Sequence, residues 1–214
     1  APIFAAEDNL LEFQSSNVPI TNIMPKKEAN DGTFSLTTIM DTFLNFGQNA
    51  NLENLEENER QRHAFVEATK KFNQGNVVVA YSDFENLLEV INSDYALLVF
   101  AKSMYEIGLF SVGNKSLEKI KHKSFLKDLV ENLKNSYLPL YTPDKNEEIY
   151  LAKAYSSIHF DNSAQEIAFE LNKNTEIMSK SDYANYILAQ AMKETGQYQQ
   201  ALIFVNKARQ MNPK

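Results

Sequence analysis

Residues 188–213 have the sequence LAQAMKETGQYQQALIFVNKARQMNP, which holds the most regular pattern in the chain. Two small residues, Ala189 and Ala201, stand on either side of Gly196. This arrangement predicts two antiparallel helices that cross closely at the alanines, with larger side chains filling the space between them: Leu188, Met192, Tyr198 and Val205. We expect Gly196 to leave the first helix in the left-handed backbone conformation, which glycine adopts without strain.

The same spacing recurs upstream. Phe100–Ile120 and Ala68–Leu87 each repeat the arrangement around a glycine, and these glycines, Gly75 and Gly108, lie 33 residues apart. A fourth, degenerate copy spans Leu151–Leu171, with His159 in place of the glycine. A period of this length is typical of stacked helical repeats.

These motifs resemble the tetratricopeptide repeat, and the resemblance covers about residues 61–120 and 145–214. It implies an all-α fold in which antiparallel helix pairs stack into a right-handed superhelix, an α-solenoid, with the first helix of each pair lining a concave groove. The repeats would span about 61–93 and 94–123, a degenerate 124–144, then 145–181 and 182–214.

Helical periodicity supports the all-α prediction independently of the resemblance. No window shows strict apolar alternation, and only 6 Gly and 6 Pro argue against a turn-rich β fold. Helical patterns occur at about 61–73, 77–91, 94–106, 111–121, 124–136, 145–158, 161–173, 182–195 and 198–211. The interval from Gly108 to His159 is 51 residues, about one and a half repeat periods, so these two copies are out of phase with each other. We predict that 137–144, which contains Pro139 and Pro143, is extended and replaces a missing second helix.

The N-terminal part differs from the rest. Residues 1–60 hold 3 Lys/Arg and 10 Asp/Glu, whereas residues 61–214 hold 18 of each. We predict an irregular arm over 1–33, then an amphipathic helix that begins after Ser35 and ends near Gly47, so that 1–48 forms one unit and 49–214 the repeat domain. The acidic balance does not favour nucleic-acid binding, and we expect the arm to fold back onto the chain.

Motifs of catalysis are absent from the sequence. It has no Cys, and its three His occur in no metal-ligand spacing. It also has no Gly-rich phosphate loop and no nucleophile elbow. The longest apolar runs, such as 77–81 and 95–101, are too short to span a membrane. We therefore expect a soluble protein that is not an enzyme and that uses no cofactor and no metal.

The repeats offer a binding surface instead. By analogy with the family, the groove-facing positions are Phe65, Thr69, Tyr95, Leu98, Lys102, Tyr105, Ile149, Lys153, Tyr183, Tyr186, Gln190 and Lys193. Tyr and Lys together favour recognition of a protein or peptide, and the lysines favour ligands with acidic and apolar residues. The leading hypothesis is a non-catalytic helical-repeat scaffold that binds a peptide segment in this groove.

Two other functions are left open. The chain could be a structural subunit of an exported bacterial assembly that uses the arm and the solenoid ends, since Ala1-Pro2 is compatible with removal of a leader. Without export the compartment would be the cytoplasm. An enzyme on a helical superhelix would require an isolated buried carboxyl group beside the groove.

The last helix also cannot bury all its apolar residues on one face, which suggests a homodimer contact through Ile203, Phe204 and Met211.

Overall fold

The computed structural model describes residues 55–213 apart from Phe125. These residues form ten helices and no strand, which confirms the all-α prediction. The expectations for residues 1–48 lie outside the described residues. The helices are α1 (Leu55–Asn73), α2 (Val77–Val90), α3 (Asp94–Glu106), α4 (Phe110–Lys119), α5 (Lys127–Tyr137), α6 (Lys145–Phe160), α7 (Ala164–Lys173), α8 (Thr175–Lys180), α9 (Asp182–Glu194) and α10 (Tyr198–Met211).

Three helix pairs, α1–α2, α3–α4 and α9–α10, pack as hairpins around a shared type of turn. In each turn a glycine has positive φ: 80° at Gly75, 81° at Gly108 and 77° at Gly196. The next residue donates its backbone N–H back to the carbonyl five positions earlier, as from Gln197 to Met192 at 2.8 Å. This is the left-handed helix ending that we expected at Gly196, and it recurs at both upstream glycines.

The turn between α6 and α7 corrects the position given to His159. That histidine lies inside α6, which continues to Phe160, and the residue with positive φ is Asn162 at 52°. Ser163 N–H donates to the Ser157 carbonyl at 3.3 Å, so Asn162 takes the place of the turn glycine. Asn162 and Gly196 lie 34 residues apart, close to the 33 residues between Gly75 and Gly108.

Residues 138–144, between α5 and α6, are not helical, as predicted for 137–144, whereas Tyr137 still belongs to α5. Pro139 and Pro143 prevent α5 from continuing, because proline has no amide hydrogen to donate. Asp144 then begins α6 by accepting from the amides of Asn146 and Glu147 at 2.8 and 2.9 Å, and the Glu147 carboxylate accepts from the Asp144 amide at 3.2 Å. This reciprocal capping fixes where α6 starts.

One helix was not predicted. Residues 174–181 were expected to connect two helices, but Thr175–Lys180 forms the short helix α8. The Asn174 side chain accepts from the Ile177 amide at 3.3 Å at its beginning. Asn185 on α9 donates to the carbonyls of Met178 and Ser181 at 2.9 and 2.8 Å, so tertiary contacts hold this turn.

The apolar interior has two parts. The first core is centred on Phe65, Phe84 and Phe100, whose ring centroids lie 5.5–6.2 Å apart. The second core contains fully buried residues of α6 and α9, among them Leu151 and Ile187. The two cores therefore correspond to α1–α5 and α6–α10.

Helix α6 joins these two cores. Ala152 packs in the first core, whereas Leu151 and Ala154 pack in the second. The Ser156 hydroxyl donates to the Phe72 carbonyl at 2.5 Å, at the end of α1. Since α6 also contacts α2, it lies across the turn ends of the first helix pairs.

A buried carboxyl group also fixes α6. Glu148 is 1% exposed and accepts from the Ser111 amide at 3.1 Å and from the Ser111 hydroxyl at 2.9 Å. Ser111 lies in the first turn of α4, where amides lack helical acceptors. Burial raises the pKa of Glu148 to about 7, against the lowering effect of the Ser111 hydrogen bonds.

No helix in the described part of the chain is both long and apolar enough to cross a membrane.

Candidate functional site

A cavity of about 670 Å³ lies between the α3–α5 side and the α6–α10 side of the molecule, and we call it the central cavity. Helices α3, α4, α5, α6, α9 and α10 and residues 138–139 supply its walls. Most of its apolar lining is aromatic, from Tyr105, Phe110, Tyr137, Tyr155, Tyr183 and Tyr186. Six of its 18 lining residues are aromatic and eight are polar or charged. Its volume falls within the range of ligand sites.

Glu106, the last residue of α3, places a carboxyl group in the lining of the central cavity. Its side chain is 14% exposed. The Tyr137 hydroxyl donates to Oε1 at 3.1 Å, and Lys102 Nζ lies 4.0 Å from the same oxygen. Oε2 is buried and has no hydrogen-bond partner among the residues that the structure describes. Burial raises the pKa of Glu106 to about 7, although Lys102 and Tyr137 act to lower it.

Tyr183 on α9 lies against the turn between α3 and α4. Its ring packs edge-on against Phe110, with centroids 4.8 Å apart, and stacks with Tyr186 at 6.2 Å. The Tyr183 hydroxyl is buried and, within the described part of the chain, has no hydrogen-bond partner; burial raises its pKa well above the usual value. The close approach is allowed because residue 108 is glycine: a Cβ there would overlap Tyr183 Oη and lie 3.0 Å from Cε1.

Polar side chains from α6 and α9 line one wall. Gln190 donates to the Tyr186 hydroxyl at 2.5 Å, and its Oε1 lies 3.1 Å from His159 Nε2. Since Oε1 is an acceptor, this contact assigns the proton to Nε2. The His159 ring lies 4.3 Å from the Tyr155 ring, so the wall is a connected row across the two helices.

Asp182 holds the segment after α5 against the cavity. Its carboxylate accepts from the amides of Leu140 and Tyr141 at 2.8 and 3.4 Å and from Asn212 Nδ2 at 2.6 Å. Asp182 lies in the first turn of α9, where negative charge is favourable. One side chain therefore ties together three parts of the chain at the cavity.

The residues predicted for the groove fall into three groups. Tyr183, Tyr186 and Gln190 line the central cavity, and Lys102 contacts its carboxyl group. Tyr105 borders the cavity but is 2% exposed, so it belongs with the buried residues. Phe65, Leu98 and Thr69 are buried at 1%, 7% and 8% exposure, which leaves their side chains inaccessible to a peptide. The remaining predicted residues lie outside the lining: half-buried Tyr95 and Ile149 against the first core, and exposed Lys153 and Lys193.

Sequence reasoning missed Glu106, Tyr137 and Tyr155. Lys102 and Glu106 have the i, i+4 spacing of an ordinary exposed ion pair, which hides the burial of the carboxyl group. Tyr155 occurs in the degenerate copy as the counterpart of Met192, and its aromatic character was the available signal.

The C-terminal helix exposes part of its apolar surface. The exposed fractions are 63% for Ile203, 62% for Leu202 and 65% for Tyr198. Phe204 is half-buried against the second core, and Met211 is half-buried. The homodimer through this helix stays a prediction.

Among the described residues, no group of three His, Asp or Glu is placed to hold a metal ion. The central cavity can instead supply aromatic surface, one half-satisfied carboxyl group and several neutral hydrogen-bonding groups.

No protein-family model matches the chain, and no curated protein or solved structure matches it significantly.

Proposed function

We propose that the chain is a non-catalytic binding protein built from helical repeats and that it takes a segment of a protein or peptide into the central cavity. The observation that carries the proposal is the meeting of Tyr183, Tyr186 and Gln190, predicted as ligand contacts, around one cavity of about 670 Å³. This volume lies within the range of pockets that hold small ligands or parts of larger ones.

We further propose that the hairpins are repeats of the tetratricopeptide type. The support is the common turn and its 33- and 34-residue spacing, from Gly75 to Gly108 and from Asn162 to Gly196. Helix α6 departs from a regular stack, because it contacts α1 and α2, whereas a repeat in a solenoid contacts only its neighbours. The ligand site would then be the cavity that this crossing encloses, in place of an open concave groove.

The test is a comparison of two exposed tyrosines. Tyr186 is 45% exposed in the cavity lining, and Tyr198 is 65% exposed outside it. Peptides selected from a displayed library of random 12-residue sequences should bind the Tyr186→Ala variant about 5- to 150-fold more weakly than the wild type. Tyr198→Ala should bind like the wild type. Equal weakening by both variants, or by neither, contradicts binding in the cavity.

An enzyme is the second candidate, and one observation favours it. Glu106 is an isolated carboxyl group of raised pKa, about 7, beside the cavity. A general acid or base normally works with a second group or a nucleophile. The hydrogen-bond and ion-pair contacts of Glu106 are Tyr137 and Lys102, and these leave catalysis less supported than binding.

The third candidate, a subunit of an exported assembly, depends on the arm over residues 1–33. Deletion of those residues tests it. Loss of stability, or a newly exposed binding surface, would support an arm that folds back on the chain. A deletion variant with unchanged thermal stability and unchanged binding would make the arm a tether.

A further inference from the structure

The charged groups in the lining of the central cavity differ in how far a ligand can reach them. Glu106 forms an ion pair with Lys102 at 4.0 Å, and its second oxygen, Oε2, is buried. Asp182 is 6% exposed, and the amides of Leu140 and Tyr141 already donate to its carboxylate. Its place in the first turn of α9 also offsets its negative charge. Because both carboxyl groups are buried and compensated within the fold, neither of them is available to a bound segment.

The accessible permanent charge among the described lining residues is the guanidinium group of Arg209 on α10. Arg209 is exposed, and its side chain forms no hydrogen bond or ion pair with any residue that the structure describes. Its five N–H donors are therefore open to an acceptor that a ligand brings. A carboxylate matches this planar group best, since its two oxygens can accept two parallel hydrogen bonds.

Tyr186 on α9 lies level with Arg209 across the α9–α10 hairpin, and both side chains line the cavity. The hydrogen bond from Asn212 to Asp182, at 2.6 Å, sets the register of these antiparallel helices. Tyr186 is one turn after Asp182 on α9, and Arg209 is one turn before Asn212 on α10, so the two pairs lie on adjoining levels. Gln190 donates to the Tyr186 hydroxyl, which leaves the hydroxyl proton to be donated to a ligand. Two donors therefore meet at one place in the cavity.

We propose that the central cavity selects an acidic side chain of the bound segment, from an Asp or a Glu, and that Arg209 and the Tyr186 hydroxyl receive its carboxylate. This inference rests on the proposed function, because it names the residue class that the cavity takes. A segment that crosses the cavity presents its side chains there, so the carboxylate belongs to a side chain and not to a chain end. Arg209 takes the role that the sequence gave to Lys153 and Lys193, which lie outside the lining.

The test uses the displayed library of 12-residue peptides on the full chain, with three forms of the protein: wild type, Arg209→Gln and Arg62→Gln. Glutamine removes the charge of Arg209 and keeps a polar side chain at the rim. Arg62 lies on α1 outside the lining, with a 44% exposed side chain, so its variant controls for the loss of one surface cation. The selected peptides are resynthesised with an amidated C-terminus and with each acidic residue replaced in turn by its amide, Glu by Gln and Asp by Asn.

We expect selected peptides to be enriched in Asp or Glu and to bind Arg209→Gln about 5- to 30-fold more weakly, with no change for Arg62→Gln. Replacing the contacting acidic residue by its amide should cost the same factor on the wild type and nothing further on Arg209→Gln. Peptides that depend on Tyr186 but are not enriched in acidic residues, or that need a free C-terminal carboxylate, would overturn the inference and leave the proposed function standing. A library that yields no peptide sensitive to Tyr186→Ala would overturn both.

Discussion

Substitution of Gly108 by alanine tests the contact that forms one wall of the central cavity. Gly108, Gly75 and Gly196 all have φ near 80°, so alanine is strained by about 1–2 kcal/mol at each of them. Reduced freedom of the unfolded chain returns about 0.4–1 kcal/mol. The backbone term alone therefore predicts a loss of about 0.5–1 kcal/mol in the free energy of unfolding at every site.

The surroundings of the three glycines separate them. A Cβ at Gly75 or Gly196 meets no atom within 4 Å, whereas a Cβ at Gly108 would overlap Tyr183 Oη. Phe110 packs against the Tyr183 ring at 4.8 Å, which limits how the ring can move away. Such overpacking costs about 1–3 kcal/mol, so Gly108→Ala should lose about 1.5–4 kcal/mol in total.

The assay is urea denaturation of the three alanine variants under identical conditions, with near-ultraviolet circular dichroism to follow the tyrosines. We expect Gly75→Ala and Gly196→Ala to agree within about 0.5 kcal/mol and Gly108→Ala to be clearly less stable. Its tyrosine signal should change in the folded state because Tyr183 is displaced. Equal losses at the three glycines, with unchanged tyrosine spectra, would refute the reasoning.

Three further predictions concern buried carboxyl groups and the last helix. Burial raises the pKa of Glu106 and Glu148 to about 7 from 4.5. The stability that these two groups contribute is therefore present below pH 4.5 and is lost as pH rises through 7. Glu148→Gln should reduce the fall in the free energy of unfolding between pH 5 and pH 8, measured by urea denaturation. Asp182→Ala should cost about 1–3 kcal/mol and speed hydrogen exchange at the Leu140 amide, whereas an unchanged exchange rate would show that this bond does not hold the segment. Phe204→Glu should be less stable than the wild type because Phe204 packs against the second core. Sedimentation of both proteins tests the homodimer, and a wild type that stays monomeric at high concentration excludes it.

Local pattern was sufficient for nine of the ten described helices and for the three glycine turns. Gly196 and its upstream counterparts are recognisable because the left-handed ending needs glycine at a fixed distance from the apolar positions. His159 was misplaced because asparagine also tolerates that conformation, so a turn without glycine gives a weaker signal. Helix α8 was missed because its six residues carry too few apolar positions to show a period.

The candidate site was only partly predictable, for a different reason. Tyr183, Tyr186 and Gln190 share a face of α9, so spacing alone could group them. Glu106 belongs to the site because α6 crosses the first helix pairs, and that crossing depends on contacts such as Ser156 to Phe72, 84 residues apart. Contacts at this separation leave no periodic trace in the sequence.

The position of α6 between the two cores has a consequence for how the protein unfolds. In a stack of repeats each unit is stabilised mainly by its neighbours, so one end can melt while the other persists. Here Ala152 belongs to one core while Leu151 and Ala154 belong to the other, so melting of α6 removes packing from both cores at once. The described part of the chain should therefore lose its structure in a single cooperative transition, and neither half should persist alone once α6 is removed.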